Sequence, residues 1–305
     1  MPDLVIVIVS YNVRDLLRAC LVSIARSDPS PRLETWVVDN CSRDGTVEMV
    51  QTEFPWVRLV TLDQNLGYAR ANNIALRALL EREGTSGLPR YVLLLNPDTE
   101  LTPTALADMV AFLDAHPEAG VVGPKLIRGD GSLDLACRRS FPTPLVSLYR
   151  LTGLSRLFPR SRRFGRYNLT YLDPDVVAEV DAVAGACMMV RGEILRTVGL
   201  LDEAFFMYGE DLDWALRIKQ AGWKVYYDGR TVVRHYKRAS SRQRSVQSLV
   251  AFYQAMLIFF RKHYARQTAW PIRWLIVAAI YLRGMLAIAL SQIPSKVPGR
   301  TAAAR

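Results

Sequence analysis

The stretch LLLNPDTEL, residues 93–101, decides how the fold is interpreted. It begins as an apolar run of strand length and turns polar at Asn96, Pro97 and Asp98. Because proline has no N–H to donate to a sheet ladder, Pro97 ends the strand, and Asp98 follows directly. In open α/β sheets, ligands bind outside the carboxyl ends of the strands. The stretch therefore predicts a carboxylate at a ligand-binding edge.

Apolar strand patterns alternate with helical patterns through about the first hundred residues. The strands are predicted at 4–9, 34–38, 56–61 and 91–95, and the helices at 13–26, 44–53 and 67–83. The alternation predicts an α/β fold with a mostly parallel sheet that is covered on both faces. Later in the chain, the pattern predicts a helix within 205–219, strands at 224–227 and 231–233, and apolar helices between 246 and 292.

The composition is basic and rather apolar. The 305 residues carry a formal net charge of +10, and 50% of them are hydrophobic. This balance favours an anionic partner, which can be nucleic acid, a phosphorylated small molecule or an acidic membrane surface. The four cysteines form no C-x-x-C pair and predict a reducing compartment. The N-terminus has no basic region before its short apolar run, so no signal peptide is expected.

Two acidic residues follow predicted strands. Asp39 in WVVDNCSRDGT can accept hydrogen bonds from a nucleoside, or it can cap the following turn. Asp98 can bind a divalent cation, which prefers oxygen ligands and is often shared with substrate phosphates. The alternative is that Asp98 or Thr99 caps a helix that begins near Pro103. Gly67, at a helix entry, would let the backbone approach a phosphate.

A third acidic group lies in YGEDLDWALRIKQAGW, residues 208–223. Glu210, Asp211 and Asp213 crowd a helix start, where the helix dipole favours negative charge. Asp213 and Arg217 are spaced i,i+4, which predicts a surface ion pair. Because the three acids repel one another, one of them is expected to have a raised pKa, as a general base can use.

The helix predicted near the C-terminus can contact a membrane. Its longest uninterrupted apolar run, Trp274–Leu282, is nine residues, and arginines flank it at 273 and 283. A spanning helix needs about 20 apolar residues. We therefore expect a helix that lies on the membrane surface, and the alternative is one that packs on the protein or on a second subunit.

Together these motifs resemble the family 2 inverting glycosyltransferases of GT-A fold, and in particular their bacterial rhamnosyltransferase branch. The matching stretches follow the order of the family over residues 4 to about 235. They are IVSYN (8–12), VVDNCSRDGT (37–46), NLGYARANN (65–73), LLLNPDTEL (93–101), AGACMMVR (184–191) and FFMYGEDLDWALRIKQAGW (205–223).

The resemblance implies a role for each candidate residue. Asp211 would be the general base of a single-displacement transfer, and Glu210 would orient the acceptor or the loop. Asp98 would be the last acid of a DXD-type motif that binds Mg²⁺ or Mn²⁺, with Asn96 in place of the first acid, and His235 would be a second metal ligand. The residues expected to bind the nucleotide-sugar are Ser10, Tyr11, Asn12, Asp39, Asn40, Asn65, Gly67, Asn72 and Asn96.

The resemblance also implies a substrate class and a location. Residues 1–240 would form the GT-A catalytic domain, and 241–305 a helical extension at the membrane surface. The donor would be a dTDP- or UDP-sugar, with dTDP-rhamnose preferred, and the acceptor a lipid-linked oligosaccharide of cell-envelope polysaccharide synthesis. The enzyme would be cytoplasmic and peripheral on the inner face of the cell membrane. The arginine-rich stretch 145–170 would contact that surface or form a lid over the acceptor site.

Three other interpretations were weighed. A nucleotidyltransferase would carry a basic, glycine-rich loop soon after the first strand, whereas SYNVRDLL follows it here. A nucleic-acid-binding module is disfavoured because the arginines fit no known recognition pattern and the acids would repel nucleic acid. A non-catalytic nucleotide-sugar-binding protein would keep Asp39 and Asp98 but would have no use for Asp211. A homodimer through the C-terminal helices remains an alternative to membrane contact.

Overall fold

A computed structural model describes residues 2–27, 31–82, 87–236 and 246–292. Its strands are β1 Leu4–Ser10, β2 Leu33–Asp39, β3 Arg58–Thr61, β4 Tyr91–Leu95, β5 Thr99–Leu101, β6 Ala119–Ile127, β7 Arg138–Arg139, β8 Val177–Val180, β9 Ala182–Val183, β10 Cys187–Arg191 and β11 Lys224–His235. Its helices are α1 Arg14–Ala25, α2 Thr46–Glu53, α3 Tyr68–Glu81, α4 Ala105–Ala115, α5 Pro144–Leu151, α6 Leu154–Leu157, α7 Ile194–Thr197, α8 Glu210–Gln220, α9 Val246–His263 and α10 Trp270–Ser291.

The central sheet has the order β3-β2-β1-β4-β10-β6-β11-β5, with β8 paired to β11. Strands β1 to β4 are mutually parallel, as predicted. Strand β10 runs antiparallel to both β4 and β6, while β6 and β11 are parallel. Every residue of β1 is buried, because helices cover both faces of the sheet. The prediction of an α/β fold with a mostly parallel sheet is confirmed.

The structure after Pro97 contradicts one of the two predictions made for this segment, in which Asp98 or Thr99 caps a helix that begins near Pro103. Thr99–Leu101 forms strand β5, and helix α4 begins only after Thr104. The interpretation of Asp98 or Thr99 as a helix cap is therefore wrong. Strand β5 pairs antiparallel with the end of β11, and the register sets His235 opposite Thr99. This pairing exists because β11 continues through an irregularity after Asp228, so that the strands predicted at 224–227 and 231–233 form one strand that reaches His235.

The segment from 140 to 172 is basic and partly apolar at its surface. It contains six arginines and no aspartate or glutamate. Helices α5 and α6 lie in it, and several of their apolar side chains are exposed. Leu145, Leu148 and Leu157 are 54%, 50% and 70% exposed, and Phe158 is 47% exposed. This segment therefore presents both positive charge and apolar area to solvent.

The C-terminal helices differ in how far they are buried. Helix α9 contributes Ala255 and Phe259 to the main core. Helix α10 packs on it at Gly284, where an added Cβ would lie 3.1 Å from the Tyr253 ring. Much of α10 is exposed; Trp270 and Leu275 are 72% and 70% exposed. The predicted division at 240/241 lies outside the described residues.

Helix α10 is long and apolar enough to cross a membrane by length and composition, in the described part of the chain. Only 11% of its most apolar window is buried against the protein. The helix therefore carries an apolar surface that the described residues do not cover.

Candidate functional site

The first group of candidate residues lies at the ends of β1 and β2. Ser10 and Asp39 are register partners in the parallel pair, and both are buried. Asp39 Oδ2 accepts a hydrogen bond from Ser42 N at 2.9 Å, so the turn-capping interpretation is confirmed for one oxygen. Ser10 Oγ and Asp39 Oδ1 have no hydrogen-bond partner among the described residues. A ligand would satisfy such buried polar atoms.

An amide network connects the loop after β2 with the start of α3. Asn40 Nδ2 donates to Asn65 Oδ1 at 2.9 Å, and Leu66 N donates to Asn40 Oδ1 at 2.8 Å. Gly67 N donates to the same Asn65 oxygen. Two of the predicted asparagines thus hold the loop that lies beside the strand ends.

Gly67 is required by close packing. Its φ is +82°, and an added Cβ would lie 2.4 Å from the carbonyl oxygen of Phe206. That carbonyl accepts a hydrogen bond from Tyr68 N at 2.7 Å. The glycine therefore lets the chain before α8 approach the N-terminus of α3.

The remaining residues predicted to bind the nucleotide-sugar lie around these loops. Asn12 Oδ1 accepts from Arg43 N at 2.8 Å, and Tyr11 is 48% exposed. Asn72 is buried in α3, where Nδ2 donates to Tyr68 O and Oδ1 has no partner within the described ranges. Asn96 follows β4, and its backbone N–H donates to Ala186 O.

Asp98 and His235, the two predicted metal ligands, lie together. His235 Nε2 is 3.3 Å from Asp98 Oδ1, and Nδ1 is 3.1 Å from Asp134 Oδ2. All three side chains are buried. Burial lowers the pKa of His235, but the hydrogen bonds to Asp134 and Asp98 outweigh it and raise the pKa to about 9.

Glu210 and Asp211 begin helix α8 and differ in their surroundings. Asp211 Oδ2 accepts from Arg139 Nη2 at 2.5 Å and from Gly185 N at 3.0 Å. Glu210 is buried, and its Oε2 has no hydrogen-bond partner in the described part of the protein. Burial and the neighbouring charge of Asp211 raise the pKa of Glu210 to about 8. The expectation of a raised pKa in this acidic group holds for Glu210.

Asp213 has a structural environment. It forms the predicted pair with Arg217 at 2.9 Å, but its side chain is fully buried, so the prediction of a surface pair is wrong. Lys262 and His263 of α9 both contact Asp213 Oδ1 at 2.7 Å. Burial raises the pKa of Asp213, yet the hydrogen bonds from His263, Lys262 and Arg217 lower it to about 2. Asp213 therefore joins α8 to α9.

The loop between β9 and β10 connects the predicted metal-binding and catalytic segments. Gly185 N donates to Asp211 Oδ2 at 3.0 Å, and Asn96 N donates to Ala186 O at 2.9 Å. The hydroxyl group of Tyr68 donates to Gly185 O at 2.9 Å, and burial raises the pKa of Tyr68 well above its usual value. The end of β4, which precedes Asp98, therefore lies beside the acidic start of α8.

The sequence model of Glycosyl transferase family 2 matches residues 5–192 of this chain, which include Ser10, Asp39 and Asp98 of the strand-end site. The chain belongs to this family. The N-acetylglucosaminyl-diphospho-decaprenol L-rhamnosyltransferase of Mycobacterium tuberculosis is 29% identical to this glycosyltransferase over 93% of this chain and 92% of its own length. Rhamnosyltransferase WbbL of Escherichia coli is 27% identical over 58% of this chain and 63% of its own.

Solved structures share the fold of this glycosyltransferase. The mannosyltransferase PcManGT from Pyrobaculum calidifontis, in complex with GDP-Man and Mn²⁺, aligns with a TM-score of 0.57 and 19% identity, over 95% of this chain and 72% of its own. Staphylococcus aureus TarS 1-349, in complex with UDP-GlcNAc, aligns with a TM-score of 0.56 and 18% identity, over 93% and 73%. The GT-A architecture is thus confirmed.

The predicted metal ligands of this glycosyltransferase, Asp98 and His235, fit a divalent cation that is shared with a substrate. One carboxylate and one imidazole nitrogen face each other across 3.3 Å, a spacing typical of two ligands on one metal ion. Among the described residues, no cluster of three or more His, Cys, Asp or Glu can hold a metal by itself. Mg²⁺ often uses one or two carboxylates together with substrate phosphates, so Asp98 and His235 suit a site that the donor diphosphate completes.

Three residues of the site were not found by sequence reasoning. Arg139 pairs with Asp211, Asp134 contacts His235, and the hydroxyl of Tyr68 donates to Gly185 O, next to Asp211. The pair Arg138–Arg139 was a usable signal, because two adjacent arginines precede a long basic segment. Asp134 has no such signal, since DGSLD reads as an ordinary polar turn.

Proposed function

We propose that this chain is a metal-dependent, inverting glycosyltransferase. It transfers a sugar, with rhamnose from dTDP-rhamnose as the first candidate, to a hydroxyl group of a lipid-linked glycan in cell-envelope polysaccharide synthesis. The proposal rests chiefly on the hydrogen bonds by which residues 185 and 186 join Asp211 to Asn96, two positions before Asp98. The rhamnosyl group and the lipid-linked acceptor follow the activity named for the mycobacterial relative.

The donor nucleotide binds at the ends of β1 and β2. Three buried polar atoms without partners in the described residues support this assignment, namely Ser10 Oγ, Asp39 Oδ1 and Asn72 Oδ1. Leaving such atoms without hydrogen bonds costs about 1–3 kcal/mol each, and the hydroxyl and amide groups of a nucleoside can satisfy them. The exposed Tyr11 and the loop residues Asn12, Asn40, Asn65 and Gly67 would border the nucleoside, and Asn96 the sugar diphosphate.

The diphosphate of the donor lies against Asp98 and His235. These two side chains would hold Mg²⁺ or Mn²⁺, which, when bound, offsets the negative charge that develops on the departing diphosphate. Residues 185 and 186 bond to both Asp211 and Asn96, so the leaving group and the general base would meet at one site.

Asp211 accepts the proton of the acceptor hydroxyl group. The acceptor oxygen forms a bond to the anomeric carbon as the bond from that carbon to the diphosphate oxygen breaks, so the configuration inverts. Glu210, whose pKa is raised to about 8, is mostly protonated at pH 7 and can donate a hydrogen bond to the acceptor or to the loop.

The Asp211→Asn variant tests this assignment. Transfer is measured with radiolabelled dTDP-rhamnose and a synthetic N-acetylglucosaminyl-diphospho-polyprenol, and donor binding by calorimetry in the same buffer with Mn²⁺. We expect the variant to lose at least about 10²-fold in turnover while its donor affinity stays within a factor of about three. Asp15→Asn, which changes an exposed aspartate in the first turn of α1, is the matched control.

Two outcomes would contradict the proposal. Full transfer by Asp211→Asn would remove Asp211 as the base. Donor binding by the unmodified protein, without transfer from dTDP-, UDP- or GDP-sugars to any acceptor tested, would favour a non-catalytic nucleotide-sugar-binding protein.

The enzyme contacts an anionic membrane surface through two regions. The segment 140–172 adds six positive charges and exposed leucines, and α10 adds exposed tryptophan and leucine side chains. Basic residues near an anionic membrane contribute about 1 kcal/mol each, and buried apolar side chains add to this. A lipid-linked acceptor would then be within reach of an enzyme held at the same surface.

Flotation with phosphatidylglycerol-containing vesicles tests the membrane contact. The full chain is compared with a variant that lacks residues 268–305, and with vesicles of phosphatidylcholine alone. We expect the truncated protein to shift from the vesicle fraction to the supernatant, and phosphatidylcholine to bind less of either protein. Equal partitioning of both proteins would reject a membrane-binding α10, and a concentration-dependent dimer that the truncation abolishes would favour helix–helix association instead.

A further inference from the structure

Asp134 is held rigidly on the far side of the His235 ring from Asp98. The two nitrogens of the ring face different carboxylates, with Nε2 toward Asp98 at 3.3 Å and Nδ1 toward Asp134 at 3.1 Å. The side chains of Asp134 and His235 are 1% and 6% exposed. Both contacts are therefore shielded from solvent.

The rest of Asp134 is fixed by its own hydrogen bonds. Its backbone N–H donates to Leu126 O, and its carbonyl accepts from Cys137 N. Its Oδ1 accepts from Ala136 N at 3.2 Å and lies 3.6 Å from an Arg128 nitrogen. The other oxygen, Oδ2, faces His235. One carboxylate oxygen thus anchors the turn after β6 while the other meets the imidazole.

We propose that Asp134 is a positioning residue that fixes the orientation and tautomer of His235 so that Nε2 can bind the metal ion of the donor site. This inference rests on the proposed function, because it takes Asp98 and His235 as the metal-binding pair. Asp134 itself does not touch the ion, since it lies at the opposite ring nitrogen.

The physical reason is that the two ring nitrogens of a neutral imidazole have different roles. A neutral imidazole carries one N–H and one lone pair, and the hydrogen bond at one nitrogen decides which nitrogen is free for a metal. With Nδ1–H donating to Asp134, a cation bound between Nε2 and Asp98 would displace the proton of Nε2 and take its lone pair. A carboxylate behind a ligating histidine also makes the imidazole a stronger donor. Loss of such a partner typically weakens metal binding about 10–100-fold.

The test compares Mn²⁺ binding by the full chain and three variants. Free Mn²⁺ is titrated by electron paramagnetic resonance, and imidazole coordination is detected as ¹⁴N modulation in the pulsed spectrum of the bound ion. The variants are Asp134→Asn, His235→Ala as the reference for loss of the ligand, and Asp130→Asn as the control. Asp130 is an exposed aspartate of the same turn, and its side chain accepts hydrogen bonds from the backbone N–H and the hydroxyl group of Ser132.

We expect Asp134→Asn to weaken Mn²⁺ binding about 10–100-fold and to diminish the ¹⁴N modulation. Asp130→Asn should change neither. If Asp134→Asn keeps both the affinity and the modulation while His235→Ala loses them, the positioning role is refuted and the metal assignment stands. If His235→Ala also keeps both, His235 is not a ligand, and the metal assignment fails together with this inference.

A second measurement uses the unmodified protein and does not depend on the folding of a variant. The sequence contains three histidines, so ¹⁵N-histidine spectra are simple to assign. With diamagnetic Cd²⁺ bound, we expect His235 to carry its proton on Nδ1 and the metal on Nε2. A spectrum with the metal on Nδ1, or with no proton on either nitrogen, would overturn the proposal.

Discussion

Replacing Glu210 with glutamine tests the charge state of the acidic site. Glu210 is buried at the first turn of α8, next to Asp211, and its pKa is raised from 4.5 to about 8. Its folded state therefore holds a proton over a pH range in which the unfolded chain has lost it. Glutamine is neutral at every pH and nearly identical in shape, so Glu210→Gln removes this titration and keeps the packing.

The magnitude follows from the two pKa values. They differ by about 3.5, and each step of one corresponds to about 1.36 kcal/mol, so the full effect is about 5 kcal/mol. Because the folded state binds more protons, stability is lost as the pH rises from 4.5 through 8. Most of the loss, about 4 kcal/mol, falls between pH 5 and pH 8.5. The variant lacks this loss.

The assay is urea denaturation of metal-free protein, in detergent and EDTA, at several pH values from 5 to 8.5. We expect the free energy of unfolding of Glu210→Gln, minus that of the wild type, to grow by about 4 kcal/mol over this range. Glu48→Gln is the control, because Glu48 is an exposed glutamate in the first turn of α2. A difference that stays constant with pH, or that shrinks as the pH rises, would refute a protonated Glu210.

Three other changes have defined outcomes. Asp213→Asn should lower the free energy of unfolding by about 2 kcal/mol at pH 6, and this difference from the wild type should narrow by about 1 kcal/mol at pH 3. The reason is that the lowered pKa of Asp213 stabilises the folded state above pH 3.8, and this stabilisation is lost as the pH falls toward 2. Urea denaturation at the two pH values measures both differences. Gly67→Ala should lower the free energy of unfolding by well above the ~1–3 kcal/mol of a strained φ, since its Cβ would collide with the Phe206 carbonyl. Gly131→Ala, at a similar φ in open space, should lower it only by the amount due to the strained φ. Equal losses in the two variants would refute the close packing of Gly67 against Phe206. Arg139→Gln should raise the pKa of Glu210 above about 8, because the charge of Arg139 lowers that pKa. The pH at which the free energy of unfolding falls should therefore be higher in this variant, and an unchanged pH midpoint of that fall would contradict the prediction.

Local patterns in the sequence were sufficient for the seven elements from β1 to β4 and for the strand-end residues, whereas β6, which lies between β10 and β11 in the sheet, was not predicted. Buried strands read as continuous apolar runs, and Pro97 marks the end of β4. Since the carboxyl ends of parallel strands share one edge, Ser10, Asp39 and Asp98 could be assigned to that edge before any contact was known. Element type and strand direction therefore came from short-range physics.

Contacts between distant residues could not be predicted in this way. Arg139 and Asp211 are 72 positions apart, and Asp134 and His235 are 101 positions apart. No periodicity connects such pairs, because their proximity depends on which strands become neighbours in the sheet. Asp213 shows the same limit, since the i,i+4 pair with Arg217 is local, whereas its burial depends on α9, whose His263 lies 50 positions away.

These distant contacts explain how several acids can share one site. Asp98 lies against His235, and Asp211 lies against Arg139, so each has a basic partner from a remote part of the chain. Glu210 is influenced by Arg139, but burial and Asp211 outweigh that cation, and the proton stays on Glu210. The Arg139–Asp211 pair is compatible with the role proposed for Asp211, because Arg139 offsets the charge of the carboxylate while the neighbouring glutamate avoids repulsion by staying neutral. The start of α8 thus places an ion-paired carboxylate beside a neutral glutamate, an arrangement set by the residues that pack around it.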